Sequence, residues 1–474
     1  MRQIKFLLIT LFIATPAISF SQGYNIKTTI HGIRDTSLIL GYYFNKKMFV
    51  KDTILVDENG IGVFTGEEPL DGGIYIVYLP DKSYFDLLIS DDQDFNLEAT
   101  DGNLVKTQKI TGSSESNSFL QYQRFLNAKQ SEAKEVQDKL KDVEKETPKY
   151  NEIIEELKAI KKEVDEKMDL TIEENSGTFL ANFLRSTKDV EVPEFDVPEN
   201  TVNSDSVLQV KRYNYYMAHY FNNIDLNDER LLRTPVFTGK IERYFTKLLV
   251  QHPDTLFKKA NSIIAKSDDA KMKKYLIQYL FNMANESKVM GMDAMVVDMA
   301  ERYYLSGEAE WADSTFLSKL QERVSKLKPN LIGKTAPDLK LKSVNGQFYK
   351  LSEVRAPVTV LIFWEPSCGH CKTEVPKLKK LIWDKFQKDG IKIFAVYTQV
   401  EPKEWKEFIE EHNLFEWINV YDPYQRSNFR NLYDINSTPT IFVLDKDKKI
   451  IGKRIGVEQL EGFIDYHLKN ANSK

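Results

Sequence analysis

VTVLIFWEPSCGHCKTEVP, residues 358–376, is the stretch on which the C-terminal fold turns. Val358 to Trp364 form a continuous apolar run, as in a strand buried on both faces. Cys368 and Cys371 follow at once, and the residues after them read as a helix running to about Asp389. A cysteine at the mouth of a helix meets free backbone N–H groups and the positive end of the helix dipole, and both favour the thiolate. Thiolate is the nucleophile of disulfide exchange, and Cys371, one turn further in, is placed to attack a mixed disulfide and release the partner. Gly369 lets a partner backbone approach closely, and a protonated His370 adds positive charge beside the first sulfur. The chain has only these two cysteines. The loop they close is too short to restrict an unfolded chain much, so chemistry and not a structural staple accounts for the pair.

Outward from this stretch, residues from Leu331 alternate between strand and helix patterns. An Asn345-Gly346 turn joins two short strands. Beyond the cysteine helix come a strand at Ile391 to Tyr397, a helix from about Pro402 to His412, a strand at Ile418 to Tyr421 and a helix near Tyr424 to Tyr433. STPTIFVLDKDKKIIGKRI, residues 437–455, reads as strand, turn, strand, and Gly456 to Lys469 as a closing amphipathic helix. This alternation predicts an α/β layer with helices on both faces.

The whole region from about Leu331 to Lys474 resembles a thioredoxin-family domain of the periplasmic TlpA-like branch. Trp364 stands four residues before Cys368, Glu374 and Pro376 follow in the order CxxCKxExP, and Thr438-Pro439 precedes a strand. The resemblance implies a redox-active disulfide between Cys368 and Cys371, with Glu374 as a third catalytic residue tuning thiol acidity. It implies a kink at Pro376 and a cis peptide at Pro439, whose flanking backbone pairs with the substrate chain. Trp364, Gly369, His370, Thr438 and Pro439 are then the residues that bind or position substrate. The implied activity is thiol-disulfide oxidoreductase, exchanging electrons with disulfide-containing envelope proteins and an upstream thiol donor.

Two departures from the family pattern bear on direction. Ile362 lies where cytoplasmic thioredoxins place a buried aspartate, which leaves Glu374, and less directly Glu365, as the candidate carboxylate. Either also reads as an ordinary solvated glutamate. The Gly-His dipeptide resembles protein disulfide isomerase more than a strongly reducing thioredoxin, and those potentials lie about 90 mV apart, about 4 kcal/mol for a two-electron couple. Reductase or isomerase is the reading, with the oxidase direction left open. A peroxiredoxin-like thiol peroxidase is one alternative, since the opening GKTAPDL, residues 333–339, suits both families. Its PxxxTxxC pattern fails, however, because Glu365 occupies the threonine position. A redox-regulated binding or assembly protein is the other alternative. A CxxC pair also begins many zinc sites, but one pair without a second supplies no closed four-ligand set, so neither metal nor cofactor is expected.

Upstream, residues 22–114 show short period-two runs such as Ile26, Thr28, Ile30 and Leu38, Leu40, Tyr42 and Ile74, Ile76, Tyr78. With turns at Asn59-Gly60 and Gly72-Gly73, they predict an antiparallel β sandwich or meander. Residues 115–328 change to spacings of three and four, as in Ile153, Leu157, Ile160, Val164 and Met168. Pro148 is read as separating this helix from an earlier one containing Leu140 and Val143, making a hairpin of two to three heptads per arm. The stripes Tyr213, Tyr216, Tyr220, then Phe245, Leu248, Leu249, then Tyr275, Tyr279, Leu280 are read as the core of a helical bundle. The whole is therefore multidomain, with the thioredoxin-like domain at 329–474. The two upstream regions also resemble the N-terminal regions that accompany such domains in envelope proteins.

The first 21 residues carry Arg2 and Lys5, an apolar run from Phe6 to Ala14, and Ser19 and Ser21 in a small-x-small pattern, as in a secretory signal peptide. Pro16 interrupts that run well short of the roughly 20 apolar residues a membrane span needs. The mature chain is expected to be exported to the periplasm or envelope of a Gram-negative bacterium, without a stable span and with homodimerisation open. A net charge of −5, with acidic and basic residues interspersed, argues against a nucleic-acid partner.

Overall fold

The computed structural model describes residues 23–198 and 201–471, so the expected signal peptide lies outside the described residues. Among those described, no helix is long and apolar enough to cross a membrane. The chain divides into two compact units, one up to Tyr244 and one from Phe245 onward. The helical stretch expected as one domain is therefore shared between two units.

In the first unit, eight strands form two four-stranded sheets: β1 (Tyr24–His31), β2 (Thr36–Phe44), β3 (Lys47–Val56), β4 (Ile61–Gly66), β5 (Gly73–Tyr78), β6 (Tyr84–Ile89), β7 (Asp94–Thr100) and β8 (Lys109–Thr111). One sheet has the order β4-β1-β7-β8 and the other β3-β2-β5-β6. Ile26 and Ile30 of the first share a core with Leu38 and Leu40 of the second, as a sandwich requires. The sandwich is not wholly antiparallel, because β1 and β7 pair in parallel. These strands are separated in sequence by the whole second sheet, so no tight hairpin constrains their direction. Nor does β5 have one buried face: Ile74, Tyr75, Ile76 and Val77 are all buried. Tyr75 and Val77 face the sandwich core. The segment Glu229–Arg233 packs against the strand, and Arg233 Nε donates to the Gly72 carbonyl at 2.7 Å.

The helical hairpin consists of Ser114–Asp138 and Pro148–Glu174, 25 and 27 residues long and so longer than expected. Pro148 opens the second helix, where its missing N–H costs nothing, and the Thr147 side chain caps the N–H of Tyr150. The first helix ends before Leu140. Lys139–Asp142 form a 3-10 turn and Val143 is extended, yet Leu140 and Val143 still pack on Val136, Ile153 and Ile160. The helix Ser204–His219 buries none of its residues, and Tyr213 is 44% exposed, so that stripe is not core except for Tyr220, just beyond the helix end. Helical spacing shows which residues share a face without showing that the face is covered.

In the second unit, helices including Pro253–Ile264, Ala270–Glu286, Asp293–Met299 and Ser314–Leu327 precede a seven-stranded sheet. Its strands are β9 (Lys340–Ser343), β10 (Phe348–Lys350), β11 (Val358–Trp364), β12 (Lys392–Tyr397), β13 (Ile418–Tyr421), β14 (Thr440–Asp445) and β15 (Ile450–Lys453), in the order β10-β9-β13-β12-β11-β14-β15. β11, β12 and β13 run parallel, β14 pairs antiparallel with β11, and β15 pairs antiparallel with β14. β11 is buried along its length: Val358, Val360, Ile362 and Trp364 join one core, Leu361 and Phe363 the other. That is the two-faced burial its apolar run predicts. The expected helix near Tyr424 to Tyr433 shrinks to Phe429–Leu432, because Gln425 and Asn428 adopt left-handed backbone at φ 52° and 53°.

Candidate active site

β11 ends at Trp364, and four residues later the helix Gly369–Leu378 begins with Cys368 as its N-cap. The turn between them brings the first sulfur to the C-terminal end of the parallel strands. Cys368 Sγ accepts from the Cys371 N–H at 3.4 Å, so the sulfur takes up one of the N–H groups that a helix start leaves without an internal partner. From across the fold, the loop before β14 brings the Thr438 carbonyl to 3.1 Å of the same sulfur, where it accepts from the thiol. The Thr438-Pro439 peptide is cis.

The two sulfurs sit in unlike surroundings. Cys368 is partly exposed, whereas Cys371 is fully buried in the core beside Val375 and Ile362. Burial opposes ionisation of Cys368, but hydrogen bonds from the Thr438 side chain, the Cys371 thiol and the N–H groups of Cys371 and His370 outweigh it and hold the thiol below its ordinary value. Burial dominates at Cys371, whose pKa is pushed up to about 12. Ionisation is thus easier than in an ordinary thiol at the first sulfur and harder at the second.

The remaining expected residues separate by position. Gly369 and His370 are exposed beside the sulfur, and space around the Gly369 Cα is open. Trp364 is fully buried and packs on Phe408 with ring centroids 5.0 Å apart, so it supports the motif from beneath and presents no surface to a substrate. Glu374 lies one turn beyond Cys371, bound to Lys377 Nζ at 3.0 Å. It lines a cavity of about 360 Å³ together with Ser437, Pro439, Arg454 and Gly456. Glu365 turns elsewhere: its Oε2 accepts from Thr398 Oγ1 at 2.8 Å and from the Gln399 side chain, tying it to the end of β12. Pro376 stands inside the helix, which continues through it to Leu378 and then widens into a π turn at Lys379–Trp383. Among the described residues, no group of three or more His, Cys, Asp or Glu side chains is placed to hold a metal ion.

Asp434, Asn436 and Arg454 also border the cavity, and sequence reading did not single them out. The polar run YDINST ahead of Pro439 was the available signal, but their partners come from distant segments.

Residues 332–453 match the AhpC/TSA family model, a span that includes both cysteines and the cis peptide. The thiol-disulfide oxidoreductase ResA of Bacillus cereus is 28% identical over 136 residues, covering 28% of this chain and 76% of that protein. A domain of a possible thiol-disulfide isomerase from Cytophaga hutchinsonii is 40% identical, covering 30% of this chain and 97% of that one, with a TM-score of 0.29. A thioredoxin-like protein from Bacteroides caccae is 20% identical, covering 59% of this chain and 99% of that one, with a TM-score of 0.43.

Proposed function

We propose, from the premise that this chain carries a thioredoxin-like thiol-disulfide oxidoreductase domain, that Cys368 and Cys371 exchange electrons with protein disulfides in the cell envelope. The observation that carries this reading is the asymmetry of the pair: a partly exposed sulfur of lowered pKa at a helix mouth, against a buried one pushed up to about 12.

In the reducing direction, the Cys368 thiolate attacks one sulfur of the partner disulfide. The partner S–S bond breaks, a mixed disulfide forms, and the other partner sulfur leaves as a thiolate. Cys371 then gives up its proton and attacks the Cys368 sulfur, so the Cys368–Cys371 bond forms as the partner's first sulfur departs. Two electrons have passed to the partner, and a thiol donor restores the dithiol. The oxidising direction is the same sequence reversed. Because Cys371 is held protonated, the second step needs a base. Glu374, on the same helical face one turn on, is the carboxylate we assign to it. A partner chain meets the edge formed by the exposed Gly369 and His370 and the half-buried Thr438 and Pro439, and the signal-peptide pattern at the N-terminus supports an extracytoplasmic site. The upstream sandwich and helices are assigned to presenting the redox domain to its partner or to self-association.

The test is Cys371→Ser in the intact protein. Mixed disulfides through Cys368 accumulate in that variant if the proposal holds and vanish in Cys368→Ser. Rapid peroxide turnover without any disulfide substrate would point instead to the peroxidase alternative.

A further inference from the structure

What holds the Thr438 loop against Cys368 lies partly outside the thioredoxin-like fold. Asp434, four residues ahead of Thr438, adopts a left-handed backbone at φ 52° with its side chain only 1% exposed. Its carboxylate is engaged on both oxygens. Oδ2 accepts from Arg323 Nη1 at 2.5 Å and from Arg454 Nη2 at 2.6 Å, and Oδ1 accepts from Asn436 Nδ2 at 2.9 Å. The Arg454 N–H in turn donates to the Ile441 carbonyl at 2.7 Å, on the far side of the cis peptide. Arg323 comes from the helix Ser314–Leu327, which precedes the sheet altogether. The same helical layer ties the neighbouring backbone. Asn330 Nδ2 donates to the Leu432 carbonyl at 3.2 Å, while Lys453 Nζ donates to the Asn330 carbonyl at 2.8 Å and to Asp293. A buried ion pair is weak evidence for stability, since desolvation offsets much of its attraction, but it does fix geometry.

Resting on the exchange reading above, we propose that Arg323 is a positioning residue for the redox site: through Asp434 it fixes the loop to Pro439 so that Thr438 stays against Cys368. The helices ahead of the sheet then take part in setting the reactivity of the nucleophile.

The test reads Cys368 through the pH dependence of its alkylation by iodoacetamide in the reduced full-length chain, beside disulfide exchange activity. Asp434→Asn and Arg323→Ala are the decisive pair, because they delete charges of opposite sign yet both release the loop. Acting through space, the two deletions move the ionisation of Cys368 in opposite senses, whereas withdrawing Thr438 from the sulfur moves both the same way. The expected result is a profile displaced in the same direction in both variants. Alkylation at neutral pH changes about fivefold, the scale of one hydrogen bond. Arg323→Lys restores most of the wild-type profile. A profile that overlays the wild type's, or displacements in opposite directions in the two variants, overturns the proposal even if the melting temperature drops. Should Asp434→Asn fail to fold, Asn436→Ala, which removes a neutral partner of the same carboxylate, is expected to move the profile in the same direction as Arg323→Ala, and an unmoved or opposite profile overturns the proposal. Failure of the exchange reading looks different, since the unaltered chain would then exchange with no protein disulfide whatever the loop variants do.

Discussion

At Cys368, burial and hydrogen bonding act in opposite directions on one proton, and hydrogen bonding prevails; at Cys371, burial prevails. The second result has a consequence for stability. The folded pKa of Cys371 lies above the 9.0 of an ordinary thiol, so its contribution is fully present below about pH 9 and is lost as pH rises toward 12. Urea titrations of the reduced protein are therefore expected to lose stability more steeply above pH 9 in the wild type than in Cys371→Ala, and parallel slopes would contradict this. For catalysis, Glu374→Gln is expected to slow release of the mixed disulfide by on the order of 10²-fold while leaving the first attack nearly intact, as single-turnover kinetics would resolve. The cysteines and Glu374 were legible because their spacing along one helix is fixed by sequence. Trp364 was legible as a family position, but its complete burial, which denies it contact with substrate, follows from strands and helices that close over it.

At the scale of elements, local chemistry predicted more of the starts than of the ends. Gly346 turns between β9 and β10 at φ 90°, as the Asn-Gly pair implies, and β11 is buried throughout, as its apolar run implies. The helix expected near Tyr424 fails because two residues take left-handed backbone, which polar composition permits without announcing. The long hairpin depends on a small core of Val136, Ile153 and Ile160, with few apolar neighbours to share the loss. Ile160→Ala is expected to cost about 2–4 kcal/mol, read as local hydrogen-exchange protection lost from the hairpin before the rest of the unit. Thr147→Ala, which removes the cap on Tyr150, is expected to cost about 1 kcal/mol in the same experiment.

For the whole molecule, the division at Tyr244 and Phe245 places the later helices with the redox fold. Lys453 shows what that means physically: its side chain is 5% exposed, burial pulls its pKa down, and its partners Asp293 and Asn330 belong to the segment ahead of the sheet. A fragment beginning at Phe245 is expected to unfold in a single transition. One beginning at residue 329 lacks Asp293 and Arg323 and is expected to melt several degrees lower, with Cys368 alkylating at a different rate at neutral pH. Equal melting temperatures and equal alkylation rates in the two fragments would contradict this prediction.

The sequence alone determined where the cysteine pair sits, because two cysteines one helical turn apart, after a strand apolar enough to be buried on both faces, are specified by neighbours in the chain. It also determined the alternation of strands and helices around that pair and the period-two pattern of the N-terminal strands. Tertiary structure decided which faces are covered, which strands run parallel, and which distant groups meet at one site. The Thr438 carbonyl on Cys368 and the two guanidiniums on Asp434 join residues 70 and 111 positions apart in their longest links. Such contacts carry no local periodicity, since only the closing of the chain on itself brings them within reach.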